Sequence, residues 1–128
     1  MVDAPRKTVA LNLVRIGVAA LLGIHGYARA INGTVDDLGG FLELKGFPAG
    51  VPLAWAITIF EMAGSLVLAL GRHVRALAAG FMAILTMGII LVHGPEGWFV
   101  VGDGRNGVEL SVLLITCLLA LIIGSPRR

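Results

Sequence analysis

Charged residues are scarce in this sequence. Only 14% of its 128 residues are charged, whereas 57% are hydrophobic, and the mean hydropathy is +0.91. A soluble domain of this length needs a polar shell, and these charged residues are too few to build one. The composition therefore argues against an ordinary soluble domain and favours a membrane protein.

Cysteine is almost absent, since Cys117 is the only one. A lone cysteine excludes an intrachain disulfide and an iron–sulfur ligand set, and the chain has neither a CxxCH haem motif nor a glycine-rich nucleotide motif. We therefore expect no haem, flavin or metal in this chain. The net charge is only +2 and the basic residues lie at helix ends, so we also expect no nucleic-acid partner.

Long apolar runs dominate what remains. Four of them approach the roughly 20 residues that a helix needs to cross a bilayer, and the lipid interior requires each to be helical. They cover about residues 9–31, 53–71, 74–93 and 108–124. The sequence therefore predicts one all-α domain over residues 1–128, an integral membrane four-helix bundle in contact with lipid.

Lysine and arginine in short loops predict the orientation of such a chain. One side carries Arg6, Lys7, Arg72, Arg75, Arg127 and Arg128, and the other carries Arg29, Lys45 and Arg105. This asymmetry predicts a multi-pass protein with both termini in the cytoplasm. In the first outer loop, "DLGGFLELKGF" has nearly helical apolar spacing and is followed by Pro48, which predicts a short interfacial helix.

Each predicted span carries one narrow polar stripe, which we expect to face other helices because lipid cannot satisfy polar groups. The stripes are Arg15, His25 and Arg29; Thr58, Glu61, Ser65 and Arg72; Arg75, Met82, Thr86 and His93; and Glu109, Thr116 and Ala120.

Glu61 lies near the centre of its span, where a charge costs roughly 2.5–3.5 kcal/mol on insertion scales. Depths counted from the helix midpoints put Arg15 roughly 7 Å to the cytoplasmic side, within reach of a long side chain. We therefore expect Arg15 and Glu61 to form a buried pair, which either fixes helix register or handles protons.

His25, His93 and Glu109 fall in the outer half of the bundle on the same depth scale. Two imidazoles and a carboxylate would there form a polar site. Each residue also has a structural interpretation: His25 as a hydrogen-bonded interior residue, His93 as a solvated residue at a helix end, and Glu109 as a carboxylate favoured by the helix dipole.

The order of several segments carries a resemblance. "LVRIGVAALLGIHG", "GFLELKGFP", "FEMAGSLVLALGRHVR", "LVHGPEGWF" and "GVELSVLLITCLLALIIGSP" follow one another along the chain. In these segments the chain resembles the DoxX family of small four-helix membrane proteins over nearly its whole length. One departure is Arg29, where the family's His-Gly-x-x-Lys pattern has lysine; the charge is kept but the hydrogen-bond geometry changes.

The resemblance implies a plasma membrane protein of a bacterium or archaeon, linked to quinone-dependent oxidoreductases or to stress by quinones, thiols or oxidants. The residues and the resemblance together leave three functions open. The first is a membrane subunit of a quinone-linked oxidoreductase. In it, the quinone headgroup would be bound by His25, His93 and Glu109, and protons would be handled by Glu61 with Arg15. A partner subunit would supply the electrons. The second is a non-catalytic accessory subunit of a larger membrane complex. The third is a small proton-coupled transporter, and a homo-oligomer fits each of them.

Overall fold

The computed structural model describes residues 3–100 and 107–125, and helices make up most of this part of the chain. No β-strand occurs among these residues. Five α-helices follow one another: α1 (Ala4–Ile31), α2 (Val35–Leu44), α3 (Gly50–Ala69), α4 (Val74–Gly88) and α5 (Glu109–Gly124). A π-helical turn, Ile89–His93, and a 3-10 turn, Gly94–Glu96, continue from α4. The predicted all-α fold class is confirmed, including the short helix in the first long loop, which is α2.

Local signals explain where the helices begin and end. α1 begins several residues earlier than predicted because Asp3 caps it, its carboxylate accepting the backbone N–H of Arg6 at 3.0 Å. α3 begins at Gly50, where Pro52 in the first turn costs no helical hydrogen bond. It ends at Ala69, so Arg72 lies in the turn beyond the helix, after Gly71 at φ +80°.

Three helical segments are long and apolar enough to cross a membrane. They are Ala4–Ile31, Gly50–Ala69 and Val74–Glu96. α5 is also apolar but has 16 residues, below the length of a standard span.

The contacts divide the chain into two compact units. The terminal unit comprises Met1–Val18 and His73–Arg128, and the central unit comprises Ala19–Arg72. α1 therefore contributes its first half to the terminal unit and its second half to the central unit.

In the terminal unit, α4 packs on α5. The buried side chains include Ala78 and Phe81 of α4 together with Leu114, Leu118 and Leu121 of α5. The end of α5 also lies against α1, since a methyl group added at Gly124 would lie 2.7 Å from Cδ1 of Leu11.

In the central unit, glycines bring backbones together. A methyl group added at Gly26 of α1 would lie 2.9 Å from Cβ of Glu61 in α3. One added at Gly39 of α2 would lie 2.7 Å from Cα of Val51, at the start of α3. At Gly26 and Gly39, α1 and α2 therefore lie closer to α3 than a residue larger than glycine would allow.

Candidate functional site

The polar stripe of α3 is buried, as predicted. Thr58, Glu61 and Ser65 are 0%, 5% and 4% exposed. They lie between buried Ala54 and buried Leu68, and successive members of this series are three or four residues apart. Side chains at these spacings lie on one face of a helix. The face of α3 that packs inside the central unit is therefore partly polar.

Glu61 forms an ion pair with Arg29, in the last turn of α1. Nη1 of Arg29 donates to Oε2 of Glu61 at 3.2 Å, and the two side chains are 20% and 7% exposed. The same nitrogen donates to Oγ1 of Thr58 at 3.1 Å. The Thr58 hydroxyl in turn donates to the carbonyl of Ala54 at 2.8 Å, so its geometry is fixed from both sides. We call Arg29, Thr58 and Glu61 the ion-pair cluster.

The expected pairing of Glu61 with Arg15 therefore needs correction, because the cation that pairs with Glu61 is Arg29. Arg15 donates from Nη1 to Oδ1 of Asn12, one turn away on α1, at 2.7 Å. The midpoint estimate of depth failed because the register of α1 on α3 is set by the contact of Gly26 with Glu61. That contact brings the C-terminal end of α1 to the level of the carboxylate.

The sequence prediction placed Arg29 on the stripe of the first helix and counted it among the outer charges, but did not include it among the candidate site residues. Two signals could have identified it. It follows Gly26 by three residues, about one helical turn, and small residues such as glycine let neighbouring helices approach closely. It also replaces the lysine of the His-Gly-x-x-Lys pattern, a position that keeps a cation.

The cluster retains hydrogen-bonding capacity. Within the described part of the chain, Arg29 uses only Nη1, and Glu61 accepts a bond only at Oε2. The Arg29 side chain is 20% exposed, whereas that of Glu61 is only 7% exposed. Arg29 can therefore offer further N–H donors to a small polar group while Glu61 balances its charge.

The other stripes differ from prediction. Thr86 of α4 and Thr116 of α5 are exposed, as is His25 of α1. Each threonine donates to the carbonyl four residues earlier at 2.8 Å, so neither hydroxyl needs a partner on another helix. The faces of α4 and α5 that pack are apolar instead, apart from Ser111.

The residues predicted for the outer site belong to different units. His25 lies in the central unit, whereas His93 and Glu109 lie in the terminal unit. His93 packs over Gly88, with its Cδ2 3.7 Å from the position of an added methyl group. Oε1 of Glu109 accepts the backbone N–H of Val100 at 2.7 Å. Their convergence on a quinone headgroup stays a prediction.

Residues 3–100 and 107–125 contain no group of three His, Cys, Asp or Glu side chains that could hold a metal ion. Cys117 of α5 is half-buried.

Comparison with known proteins gives a family match. A family model described as DoxX matches residues 10–94, well over half of the chain. The match runs from the first half of α1 to Gly94, just after the π-helical turn, and includes the whole ion-pair cluster. Neither a curated protein nor a solved structure matches the chain significantly.

Proposed function

The chain belongs to the DoxX family, and on that premise we propose that it is the membrane subunit of a quinone-linked oxidoreductase, with the ion-pair cluster at the quinone headgroup. Its apolar helices make it a multi-pass membrane protein in contact with lipid, and the family has a loose link to redox and stress functions. The proposal extends this to the plasma membrane of a bacterium or archaeon, with both termini cytoplasmic and a redox partner subunit alongside.

The observation that carries the proposal is a carboxylate paired with a guanidinium on the packed face of an apolar helix. Burying two charges is costly, and a well-packed apolar pair would often be as stable. Ionisable residues inside a membrane protein are therefore candidates for function. Here Arg29 also keeps N–H donors that the pair does not use, on a side chain that is 20% exposed, and a purely structural pair does not require this.

The chemistry of the cluster suits a quinone better than an anion. Because Arg29 and Glu61 neutralise each other, the site has little net attraction for a negatively charged substrate. The remaining N–H donors of Arg29 can bind a neutral carbonyl oxygen, and a guanidinium presents several donors in a fixed plane. A quinone, which is apolar and carries carbonyl groups, also dissolves in the lipid that surrounds the helices.

The residues would then have distinct roles. Arg29 donates hydrogen bonds to a carbonyl oxygen, Thr58 holds the guanidinium in place, and Glu61 exchanges protons. A bound quinone supplies two-electron, two-proton chemistry, and the electrons come from a redox partner subunit. In this arrangement Arg29 takes the role that we first expected for Arg15.

A mutant cycle combined with quinone binding tests the proposal. We compare Glu61→Gln, Arg29→Met and the double variant with the unaltered chain in detergent, and record Tm with and without a short-chain benzoquinone. Ligand that binds only the folded state raises Tm. We expect the benzoquinone to raise the Tm of the unaltered chain and to leave the Tm of all three variants unchanged. Arg29→Lys, which keeps the cation, should retain part of the rise.

Stability without ligand provides the internal check. Removing one member of a buried pair costs about 3–5 kcal/mol, whereas removing both can be nearly neutral. The double variant should therefore recover most of the stability that each single variant loses, and still not respond to quinone. Arg6→Gln is the matched control, since Arg6 and Asp3 form an exposed pair at 3.8 Å. A double variant that responds normally to quinone contradicts the proposal and favours the accessory subunit.

A further inference from the structure

Two short backbone segments in the terminal unit are joined between α4 and α5. The N–H groups of Gly107, Val108 and Glu109 donate to the carbonyls of Phe99, Gly97 and Trp98 at 3.2, 3.0 and 3.0 Å. These bonds tie residues 97–99 to residues 107–109, and we call the pair of segments the clamp.

Glu109 closes the clamp with its side chain. Its Oε1 accepts the N–H of Val100 at 2.7 Å, while its own N–H donates to Trp98. Gly107 allows the close approach, since a methyl group there would lie 2.5 Å from the carbonyl carbon of Trp98. The backbone around Trp98 and Phe99 is thus held by four hydrogen bonds.

The clamp leaves two adjacent aromatic side chains uncovered. Trp98 and Phe99 are 51% and 53% exposed. They come shortly after the segment Val74–Glu96, the least buried of the three long apolar segments. Their backbone is bonded to residues 107–109, where α5 begins, and Leu113 in the first turns of α5 is 58% exposed. The aromatic pair is therefore held beside the end of one apolar segment and the beginning of α5.

We propose that Trp98 and Phe99 bind the interfacial layer of the phospholipid bilayer and that Glu109 is the residue that positions them. Tryptophan suits this layer because its ring is apolar and its indole N–H reaches the headgroups. The apolar segment of 23 residues before it has the length of a bilayer crossing, which puts its end at the membrane surface. This inference is independent of the quinone proposal.

Fluorescence from Trp98 tests the inference in the full chain. The chain has two tryptophans, so Trp55→Phe leaves Trp98 as the only one. The protein is reconstituted in phosphatidylcholine vesicles with bromine at a shallow or a deep acyl position, and iodide is added outside. We expect shallow bromine to quench Trp98 several-fold more than deep bromine, and iodide to quench it weakly.

Variants of Glu109 test the positioning role. Glu109→Gln keeps an oxygen that accepts the Val100 N–H and should keep the quenching profile. Glu109→Ala removes it and should shift the emission to longer wavelength, with greater quenching by iodide. Asp37→Ala is the control, because it removes one exposed carboxylate from α2 in the other unit.

Three results would overturn the inference. Strong iodide quenching without bromine quenching in the Trp55→Phe chain would place Trp98 in water. Protection that disappears when the protein is diluted with lipid would identify a second copy of the chain as the partner. An unchanged profile in Glu109→Ala would remove the positioning role. If Glu109→Ala does not fold, the quenching of Trp98 in the Trp55→Phe chain and in its Glu109→Gln variant still tests whether Trp98 lies in the interfacial layer.

Discussion

Thr58, Thr86 and Thr116 make the same local hydrogen bond and differ in their surroundings. Each donates to the carbonyl four residues earlier at 2.8 Å. Thr58 is fully buried and accepts a bond from Arg29, whereas the other two are exposed. A buried donor left without an acceptor costs about 1–3 kcal/mol, so position in the fold decides what the same residue contributes.

The threonines provide a matched test of the ion-pair cluster. We expect Thr58→Val to lower the free energy of unfolding by about 1–2 kcal/mol, because a donor of Arg29 loses its acceptor. Thr86→Val and Thr116→Val should change it by less than about 0.5 kcal/mol. Unfolding in mixed micelles, followed by circular dichroism, measures all three. Equal losses would show that the hydroxyl of Thr58 contributes only to its own helix.

At the scale of the helices, glycines decide which polar residues meet. Gly23 and Gly26 are one turn apart on α1, and methyl groups added there would lie 2.6 Å from Oγ of Ser65 and 2.9 Å from Cβ of Glu61. The two contacts align the second half of α1 with the polar stripe of α3. The polar stripe shows which face of a helix is buried. The point of closest backbone approach determines which residues of the neighbouring helix that face contacts.

Alanine at Gly26 should therefore disrupt the cluster from a distance. We expect Gly26→Ala to cost about 1–3 kcal/mol, the usual range for overpacking, and to reduce the coupling between Arg29 and Glu61 in a double-mutant cycle. Gly17→Ala is the matched control, since nothing lies within 4 Å of the added methyl group. It should be neutral or stabilising, by up to about 1 kcal/mol. A Gly26→Ala chain with unchanged Tm and coupling would contradict this account of the register.

At the scale of the whole molecule, the predicted orientation rests on the distribution of lysine and arginine. Six basic residues fall on the predicted cytoplasmic side and three on the outer side, one of which, Arg29, is paired with Glu61. The rule counts lysine and arginine whether or not a carboxylate pairs with them, so cytoplasmic termini stay the prediction. α5, with 16 residues, is roughly 24 Å long and needs local thinning or snorkelling to span.

Cysteine labelling tests the topology. In a Cys117→Ala background, single cysteines replace Asn32, Arg72, Pro95 and Ser125, which lie at or beyond the ends of the apolar segments. We expect an impermeant maleimide to label positions 32 and 95 on intact cells, and positions 72 and 125 only after permeabilisation. Labelling of positions 95 and 125 from the same side would show that α5 does not cross the membrane.

The sequence by itself determined the local features of this protein. Hydropathy and periodicity predicted the apolar helices, the short helix α2, and the burial of Thr58, Glu61 and Ser65 on one face of α3. These predictions were correct because helix formation and membrane insertion depend on residues close together in the sequence and on the surrounding solvent or lipid. Scarce charge also made it clear that a buried Glu61 needs a cation.

Only the tertiary structure decided which cation that is. Arg15 and Arg29 share a stripe on α1, and depth counted from the helix midpoints favoured Arg15, which is not the partner. The choice depends on Gly26 meeting Glu61, a contact between residues far apart in the chain. Tertiary structure likewise decided that Thr86 and Thr116 remain outside, since a threonine that bonds its own helix carries no signal of its partner. Packing register depends on a few closest approaches, and these are set by whole helix surfaces rather than by any single segment.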